Sequence, residues 1–160
     1  EGDPERFTFS RPSIPGLDFS FSGLKTSFLY FIRDELKKDK DFIEKNKQDL
    51  SASIQASIVG VLMSKLSLAM DKTRNLHPQS RCLDVAIAGG VSANSGLRKA
   101  LEGARDKHGW TIFIPPIQYS TDNAAMIAIT GYFKFLKGEF GNQSDVPYAR
   151  ANTRSASRGT

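Results

Sequence analysis

Cysteine is almost absent from this 160-residue chain, and its scarcity excludes two classes of small protein. Cys82 is the only cysteine, so neither a disulfide framework within the chain nor a zinc site built from several cysteines is possible. A lone thiol favours a reducing compartment, and we therefore expect a cytoplasmic protein in which Cys82 is a small apolar filler. His77 and His108 form no H-x-x-x-H or H-E-x-x-H pattern, so both are expected at the surface, at helix ends.

Long apolar runs and strongly lopsided charge are absent as well. There is no run of about eighteen apolar residues, and the first residues lack the basic-then-apolar pattern of a leader, so neither a membrane span nor a signal peptide is expected. The 22 basic and 17 acidic residues leave a net charge of +5 at pH 7. This charge suits a phosphate-bearing partner but is far from a histone-like composition. With 39% hydrophobic and 24% charged residues, intrinsic disorder is excluded.

Residues 1–22 contain three of the seven prolines and are predicted to form an extended segment, in which Phe7–Phe9 could be a short strand. The apolar residues that follow recur at helical spacing, which predicts an amphipathic helix with Ser20 or Ser22 as its N-cap. Phe19–Thr26 looks superficially like a phosphate loop. It lacks the G-x-x-x-x-G-K-[ST] spacing, so we reject this alternative.

A second, longer helix is expected after a charged connector. Residues 37–49 mix five lysines with four acidic side chains, which favours a solvated connector or an exposed helix turn. Asp49 is the expected N-cap, and the helix would run from there towards Asn75, with Pro78 beyond its end. Its predicted buried stripe consists of six apolar residues: Ile54, Ile58, Val61, Leu62, Leu66 and Ala69.

Two short strands are predicted in the second half of the chain. Leu83–Ala88 is β-prone and almost wholly apolar, which is typical of a strand covered on both faces, and Gly89–Gly90 ends it. Apolar residues at helical spacing from Leu97 to Ala104 indicate the next helix. Thr111–Ile114 is the second strand, and two prolines follow it.

The last helix is predicted to begin near Ser120–Thr121 and to end at Gly138; because it is apolar nearly all round, deep burial is expected. Residues 141–160 lack periodicity and are expected to be a flexible tail. The order helix, helix, strand, helix, strand, helix predicts an α/β fold with parallel neighbouring strands, rich in helix and poor in strands. Two strands are too few for a self-sufficient doubly wound sheet, so we expect a piece of a larger protein.

The turn Gly89–Asn94 is the strongest candidate binding site. It joins a strand to a helix, and in open α/β sheets ligands bind at this carboxyl end of a strand. Glycines without Cβ let the backbone approach a flat base or a ribose, and helix N–H groups favour negative charge. Asn94 adds an amide that both donates and accepts. The alternative is a tight turn in which Asn94 is a local cap.

Gly90-x-Ser92-x-Asn94 also resembles the G-x-S-x-G nucleophile elbow of serine hydrolases. Asn replaces the last glycine, where crowding requires a small residue. The only downstream histidine, His108, shares its helix with Asp106, and the two face different sides. A serine hydrolase is therefore disfavoured.

Asp122 lies in a second candidate loop. This loop follows the second strand and opens the last helix, so we expect it at the same rim of the sheet as Gly89–Asn94. As a helix-start acid, Asp122 would be a cap or first-turn residue stabilised by the helix dipole. The alternative is a ligand for a metal or for a metal-bound phosphate.

Three strings of residues, taken together and in this order, resemble one family. They are Phe19–Thr26 (FSFSGLKT), Ala88–Ser95 (AGGVSANS) and Ser120–Met126 (STDNAAM). On these motifs, about residues 5–150 are identified as part of the tRNA N6-adenosine threonylcarbamoyltransferase family, whose older name is O-sialoglycoprotein endopeptidase or glycoprotease. Three ordered strings at the correct spacing are much more specific than any one of them.

The resemblance implies an actin-like, sugar-kinase-like ATPase fold with two α/β lobes around a nucleotide cleft. Members are about twice as long as this chain, so residues 23–140 would be the C-terminal lobe. The implied reaction transfers threonylcarbamoyl from threonylcarbamoyl-AMP to N6 of the adenosine beside the anticodon in tRNA. Gly89, Gly90 and Asn94 would bind the adenine nucleotide. Asp122 would bind one divalent metal, iron or zinc, which acts as a Lewis acid.

The same resemblance implies that the other metal ligands, a pair of histidines, lie in the N-terminal half outside this chain. No catalytic residue is assigned here, and we expect the chain to be inactive alone. The implied partners are tRNA, other subunits of the modification complex and the N-terminal lobe, without any membrane. The isolated chain is expected to self-associate, and three arginines of the tail are predicted to hold tRNA weakly: Arg150, Arg154 and Arg158.

Two alternatives remain open. The chain could be a non-catalytic nucleotide-binding or partner-docking module of the same superfamily. The older endopeptidase description is a third interpretation, and the lack of a triad and of zinc ligands argues against it.

Overall fold

Residues 2–10, 14–79 and 83–146 are described in a computed structural model of the chain. The predictions for Cys82, for the three tail arginines and for residues 147–160 of the tail lie outside the described residues. The chain divides into two compact units, Glu1–Thr121 and Asp122–Thr160.

The predicted order of helices and strands is confirmed. The elements are α1 (Ser22–Lys38), α2 (Phe42–Leu76), β1 (Asp84–Ala86), a 3-10 turn (Gly90–Ala93), α3 (Ser95–His108), β2 (Thr111–Phe113), a second 3-10 turn (Ile117–Tyr119) and α4 (Ala124–Leu136). β1 and β2 pair in parallel, with Val85 opposite Ile112. The prediction of a helix-rich α/β pattern with parallel neighbours is correct.

The start of α1 differs in detail from the prediction. Phe21 occupies the N-cap position and makes no side-chain capping bond, so neither serine is the N-cap. Ser20 still contributes, because its Oγ accepts a hydrogen bond from the Ser22 N–H at 3.2 Å. Ser20, the residue before the N-cap, therefore satisfies one of the free N–H groups at the helix start.

Helix α2 begins seven residues before the predicted N-cap Asp49, so the expected connector over 37–49 is wrong for its second half. The lysines and acids of this stretch alternate around a helix whose inward positions are Phe42, Asn46 and Leu50, spaced four apart. A charged face of this kind is compatible with an exposed helix turn. Asp49 lies inside α2, where its carboxylate accepts hydrogen bonds from the Asp3 backbone at 2.8 Å and from the Arg6 guanidinium at 2.6 Å.

The buried stripe of α2 is rotated relative to the prediction. Ile58 is 36% exposed, whereas Ser53 and Ser57 beside it are buried. Small side chains are favoured there because the N-terminal segment lies directly on the helix: the Phe7 N–H donates to Ser53 Oγ at 3.2 Å. The remaining predicted residues are half-buried, apart from Val61, which is fully buried.

The predicted strand Phe7–Phe9 is wrong, because the segment packs by its side chains rather than by a backbone ladder. Phe7 lies against Phe31 in a tilted arrangement with ring centroids 5.4 Å apart, and Phe9 meets Phe28 edge-to-face at 5.1 Å. Aromatic pairs at these separations contribute about 0.5–1.5 kcal/mol beyond the area that they bury. An aromatic cluster between α1 and α2 thus replaces the expected sheet pairing.

Within the described ranges the sheet is covered on one face only, which corrects the expectation for β1. Val85 is buried, whereas Asp84 and Ala86 on either side of it are exposed. The covered face packs against α2 and α3 in a single apolar core: Met70, Leu83, Val85, Leu97, Leu101, Ala104, Trp110 and Ile112. Sequence hydropathy indicated that both faces of the strand are apolar; it did not indicate what lies on them.

Helix α4 begins at Ala124, a few residues later than predicted, and Asn123 is its N-cap, accepting from the Met126 N–H at 3.1 Å. The expected deep burial is wrong, since no residue of α4 is buried. Ile127 is 78% exposed and Phe135 64%. The described remainder of its own unit is a short, turn-rich segment that buries none of these side chains.

Helix α2 is the one helix in the described ranges that is long and apolar enough to cross a membrane by length and composition alone, with an 18-residue window of mean hydropathy 1.4. Core helices of globular proteins pass the same test. α2 packs against α1 and α3, and 22% of this window is buried, including the side chains of Ser53 and Ser57.

Candidate functional site

The turn after β1 is open to a ligand. Gly89 has φ +77°, ψ −179°, a conformation that side-chain-bearing residues rarely adopt. Among the described residues, a Cβ added at Gly89 or Gly90 would meet nothing within 4 Å, so no described side chain or backbone fills the space over this turn. Because β1 and β2 are parallel, the loops after them leave the same edge of the sheet, where α/β proteins bind ligands.

Asn94 is the N-cap of α3. Its Oδ1 accepts from the Leu97 N–H at 2.9 Å, so the capping interpretation is correct for this atom. The other half of the amide remains: Nδ2 lies 3.5 Å from Oε1 of Gln55, a contact at the long limit of a hydrogen bond. Asn94 can therefore offer N–H donors to a ligand, whereas its oxygen is already engaged.

An apolar groove of about 450 Å³ adjoins the turn. α2 contributes Leu62 and Leu66 to its wall, and the turn contributes Ala88 and Val91. Lys65 also lines the groove, but its ammonium donates to the backbone oxygens of Ile14 (2.5 Å) and Gly16 (2.8 Å). These two bonds hold the segment before α1 so that Leu17 and Phe19 complete the lining.

Ser92 is not available as a nucleophile. It is 1% exposed, and its Oγ lies 2.7 Å from the Gly89 carbonyl oxygen and 2.9 Å from Ser120 Oγ. His108 is the last residue of α3, as expected, and stacks on Trp110 with ring centroids 4.9 Å apart. The structure agrees with the rejection of a serine hydrolase.

Asp122 is not a helix cap. It precedes the cap residue Asn123, its side chain is exposed, and within the described residues its carboxylate has no hydrogen bond or ion pair. An exposed carboxylate suits a divalent cation in kind. One carboxylate is not a site, however, and the described part of the chain contains no group of three or more His, Cys, Asp or Glu that could hold a metal. The metal assignment therefore stays a prediction that needs further ligands.

Sequence reasoning missed Gln55 and Lys65, the two polar α2 residues that reach the turn and the groove. A polar residue inside an apolar helical stretch is the signal that could have marked Lys65. Nothing local marks Gln55. Its amide packs so closely on the first turn of α3 that a Cβ at Gly96 would come within 2.7 Å of it.

Comparison with known proteins gives the family of the chain. The family model described as TsaD, tRNA N6-adenosine threonylcarbamoyltransferase, matches residues 1–129, a range that contains Gly89, Gly90, Asn94 and Asp122. The chain belongs to this family. The resemblance in the three sequence strings is thereby confirmed.

Curated relatives agree with the family match. The tRNA N6-adenosine threonylcarbamoyltransferases of Porphyromonas gingivalis and Phocaeicola vulgatus are 52% and 53% identical to this chain over 150 residues. That of Christiangramia forsetii is 51% identical over the same length. In each case the match covers 94% of this chain and 42% of the relative. The chain thus spans less than half the length of these proteins.

Proposed function

We propose that this chain supplies the adenylate-binding part of an enzyme that transfers threonylcarbamoyl from threonylcarbamoyl-AMP to N6 of the adenosine beside the anticodon in tRNA. The observation that carries the proposal is the open Gly89–Gly90 turn at the carboxyl end of a parallel strand, in a chain of the threonylcarbamoyltransferase family. In this proposal the chain is the C-terminal lobe of an actin-like fold, in the cytoplasm.

In this proposal the groove binds the adenine base and the turn binds the ribose. The flat, weakly polar base suits the apolar groove beside Val91. The ribose would lie over the Gly89–Gly90 backbone, where no Cβ intervenes. Asn94 would donate from Nδ2 to an acceptor on the nucleoside. Such sites are typically apolar with a few fixed polar groups.

The chemistry requires a nucleophile, an acyl carbon and a leaving group. The N6 amine attacks the carbamoyl carbon, a C–N bond forms, the bond from this carbon to the phosphate oxygen breaks, and AMP leaves. N6 loses one proton in the process. The residues of this chain bind and orient the adenylate in our proposal, and we assign none of them to proton transfer.

Asp122 would supply one anionic oxygen to a divalent metal, iron or zinc, in the full-length protein. When bound, such a metal supplies Lewis-acid stabilisation of developing negative charge. Its remaining ligands would come from residues outside this chain. We therefore propose that the chain alone transfers nothing, and that activity needs the N-terminal lobe, the other subunits of the modification complex and tRNA.

A non-catalytic nucleotide-binding module is the second candidate. It is favoured by one observation: within the described residues, Asp122 belongs to no group of three or more His, Cys, Asp or Glu that could hold a metal. The older endopeptidase description is disfavoured, because Ser92 is buried and hydrogen-bonded.

Transfer assays separate these candidates. The full-length protein and, separately, the 160-residue chain are incubated with the partner subunits, threonylcarbamoyl-AMP and unmodified tRNA, and threonylcarbamoyladenosine is quantified by mass spectrometry. We expect product from the full-length protein only. A full-length protein that binds AMP but makes no product, with its partner subunits present, would favour the non-catalytic module.

A further inference from the structure

Two loops leave the same edge of the sheet. The first rim loop, residues 87–94, follows β1 and carries the proposed adenosine contacts. The second rim loop, residues 114–121, follows β2 and ends one residue before Asp122. Loops of this kind are ordinarily mobile, so whatever holds these two together decides how well the turn is preorganised for a ligand.

Arg98 bridges the two loops from the first turns of α3. Its Nε donates to the Ser92 backbone oxygen at 2.5 Å, and its Nη2 donates to the Pro115 backbone oxygen at 2.8 Å. One planar guanidinium therefore holds one carbonyl from each rim loop. Arg98 has no carboxylate partner within 4.0 Å among the described residues, so the carbonyl oxygens are what it binds. Charge-assisted bonds from a rigid fork are among the stronger hydrogen bonds in proteins.

Ser92 and Ser120 form a second bridge, buried beneath the first. Both are 1% exposed, and their hydroxyl oxygens lie 2.9 Å apart. Ser92 has a single proton, and the Gly89 carbonyl oxygen 2.7 Å away can only accept. Ser92 therefore donates to Gly89 and accepts from Ser120. The chain of bonds ends on the glycine that begins the open turn.

Arg98 reaches this chain as well, since Nη2 lies 3.5 Å from Ser120 Oγ. Donor and acceptor roles then run in one direction, from the guanidinium through both hydroxyls to the Gly89 carbonyl. Hydrogen bonds arranged in series polarise one another in a low-dielectric interior.

We propose that Arg98, Ser92 and Ser120 act as positioning residues that fix the first rim loop against the second and so hold the Gly89–Asn94 turn ready for adenosine. The substrate in this inference rests on the proposed function. None of the three needs to touch the nucleotide: Arg98 and Ser120 act on the turn through Ser92 and the Gly89 carbonyl. The hydrogen bonds of these three residues should lower the free-energy cost of ordering the turn when adenylate binds.

Two substitutions in the full-length protein test whether these hydrogen bonds position the turn. Ser120→Ala removes the hydroxyl bridge to Ser92 and the long contact with Arg98, whereas Ser92 keeps its bond to Gly89 and Arg98 keeps its bonds to both loops. Arg98→Lys keeps the positive charge but cannot reproduce the planar fork. For both variants we expect KM for threonylcarbamoyl-AMP to rise about three- to tenfold, because one or two hydrogen bonds that order the turn are lost. We expect kcat to stay within about twofold, because no interaction with the reacting atoms is lost.

The chain offers a matched control for each substitution. Arg105 also lies on α3 and donates to a backbone oxygen, that of Ile112, at 3.3 Å, but it contacts β2 rather than the loops. Ser57 is a buried serine of α2, bonded to the Ser53 oxygen at 3.0 Å. Arg105→Lys and Ser57→Ala should leave KM unchanged. A merely structural role would instead lower the melting temperature in variants and controls alike without a separate change in KM.

Hydrogen–deuterium exchange of the same proteins keeps this inference distinct from the proposed function. We expect faster exchange in residues 87–94 and 114–121 together for Arg98→Lys, and no change for Arg105→Lys. If the wild-type protein proves unable to transfer threonylcarbamoyl, the proposed function fails. The exchange pattern alone then decides whether Arg98 holds the two rim loops together. Unchanged KM in both variants, or unchanged exchange in both loops, would overturn the inference.

Discussion

Asn94 combines two separable tasks in one amide group. Its oxygen caps α3, and its nitrogen makes one long contact, 3.5 Å to Gln55 Oε1, and has a second N–H to offer to a ligand. Asn94→Asp keeps an oxygen at the cap, and Asp caps helices about as well as Asn. It loses both N–H donors, however. We expect the free energy of unfolding to change by less than about 0.5 kcal/mol, and adenylate binding in the full-length protein to weaken by about 1–3 kcal/mol.

Urea unfolding and isothermal titration calorimetry measure these two quantities. Asn94→Ala is the contrasting variant, because it removes the cap as well and should destabilise the protein by about 0.5–2 kcal/mol. If Asn94→Asp binds adenylate as tightly as the wild type, Asn94 is a cap and nothing more.

Asp122 and Asn123 are neighbours with different tasks. Asn123 caps α4, accepting from the Met126 N–H at 3.1 Å, whereas Asp122 is exposed outside the helix. In the full-length protein Asp122→Asn should leave the unfolding free energy within about 0.5 kcal/mol of wild type. Metal content and transfer should collapse, because a dication needs an anionic oxygen. Asn123→Ala should show the opposite pattern, with a loss of about 0.5–2 kcal/mol.

Metal analysis by mass spectrometry and the transfer assay read out the comparison. Normal metal content together with normal turnover in Asp122→Asn would remove Asp122 from the metal site.

Residues whose roles are local could be predicted from the sequence. Gly89 was found because its backbone conformation favours glycine, and Asn94 because its residue type is typical of turns and caps. Arg98 and Gln55 were not found. Their partners are set by how α3 meets the loops and α2, and no pattern of neighbouring residues records such contacts. The same limit explains why Ser92 looked like a nucleophile although it is buried.

At the scale of elements, the Asp49 carboxylate of α2 holds the first residues of the N-terminal segment, through the Asp3 backbone N–H and the Arg6 guanidinium. The Asp3 backbone N–H, and then the Arg6 guanidinium, hold the pKa of the Asp49 carboxyl below its ordinary value. A lowered carboxyl pKa stabilises the attachment above the unfolded-state pKa, and this contribution is lost as the pH falls through the folded-state pKa. We therefore expect the Asp3–Arg6 end of the segment to detach from Asp49 as the pH falls below about 4, whereas the contacts of Phe7 with Ser53 and Phe31 do not titrate.

NMR titration of the Asp3 amide follows this detachment. Asp49→Asn keeps an acceptor for the Asp3 N–H but cannot titrate, so the pH dependence of this amide should vanish while the aromatic contacts of Phe7 persist. A wild-type Asp3 amide that does not respond to acidification would show that Asp49 is not what holds the segment.

Helix boundaries were harder to predict than helix existence. α2 begins in a charged stretch because Phe42, Asn46 and Leu50 already share one inward face, and only Phe42 and Leu50 are apolar. α4 begins late because Asn123, rather than the acid before it, caps the helix. In both cases the error lies in choosing among several polar residues that are each compatible with a helix start.

At the scale of the whole molecule, the sequence predicted which surfaces are apolar but not what covers them. Ala86 on β1, the groove beside the turn and most side chains of α4 are apolar and open in the described residues. The relatives provide a physical reason, because the chain spans only 42% of their length. Apolar surfaces that other parts of a longer protein would cover are exposed when this chain is considered alone.

Self-association of the isolated chain is the expected consequence, and α4 is its most exposed apolar surface. Seven large side chains of this helix are exposed: Met126, Ile127, Ile129, Tyr132, Phe133, Phe135 and Leu136. The helix is about 20 Å long, and apolar patches larger than a few hundred Å² usually find a partner. We expect sedimentation velocity to show dimers or larger species that grow with protein concentration in the micromolar range.

Replacing Ile127 and Phe133 together by Glu should suppress the association, because each would place a charge in the buried centre of a helix pair. Leu76→Glu is the matched control: Leu76 is 76% exposed but lies at the end of α2, and its replacement should leave the association unchanged. In the full-length protein we propose that further residues cover this surface. Association should then be weak in the wild type, in the double variant and in Leu76→Glu. A wild-type chain that stays monomeric at high concentration would mean that α4 needs no partner, and the explanation of its apolar surface by absent residues would fail with it.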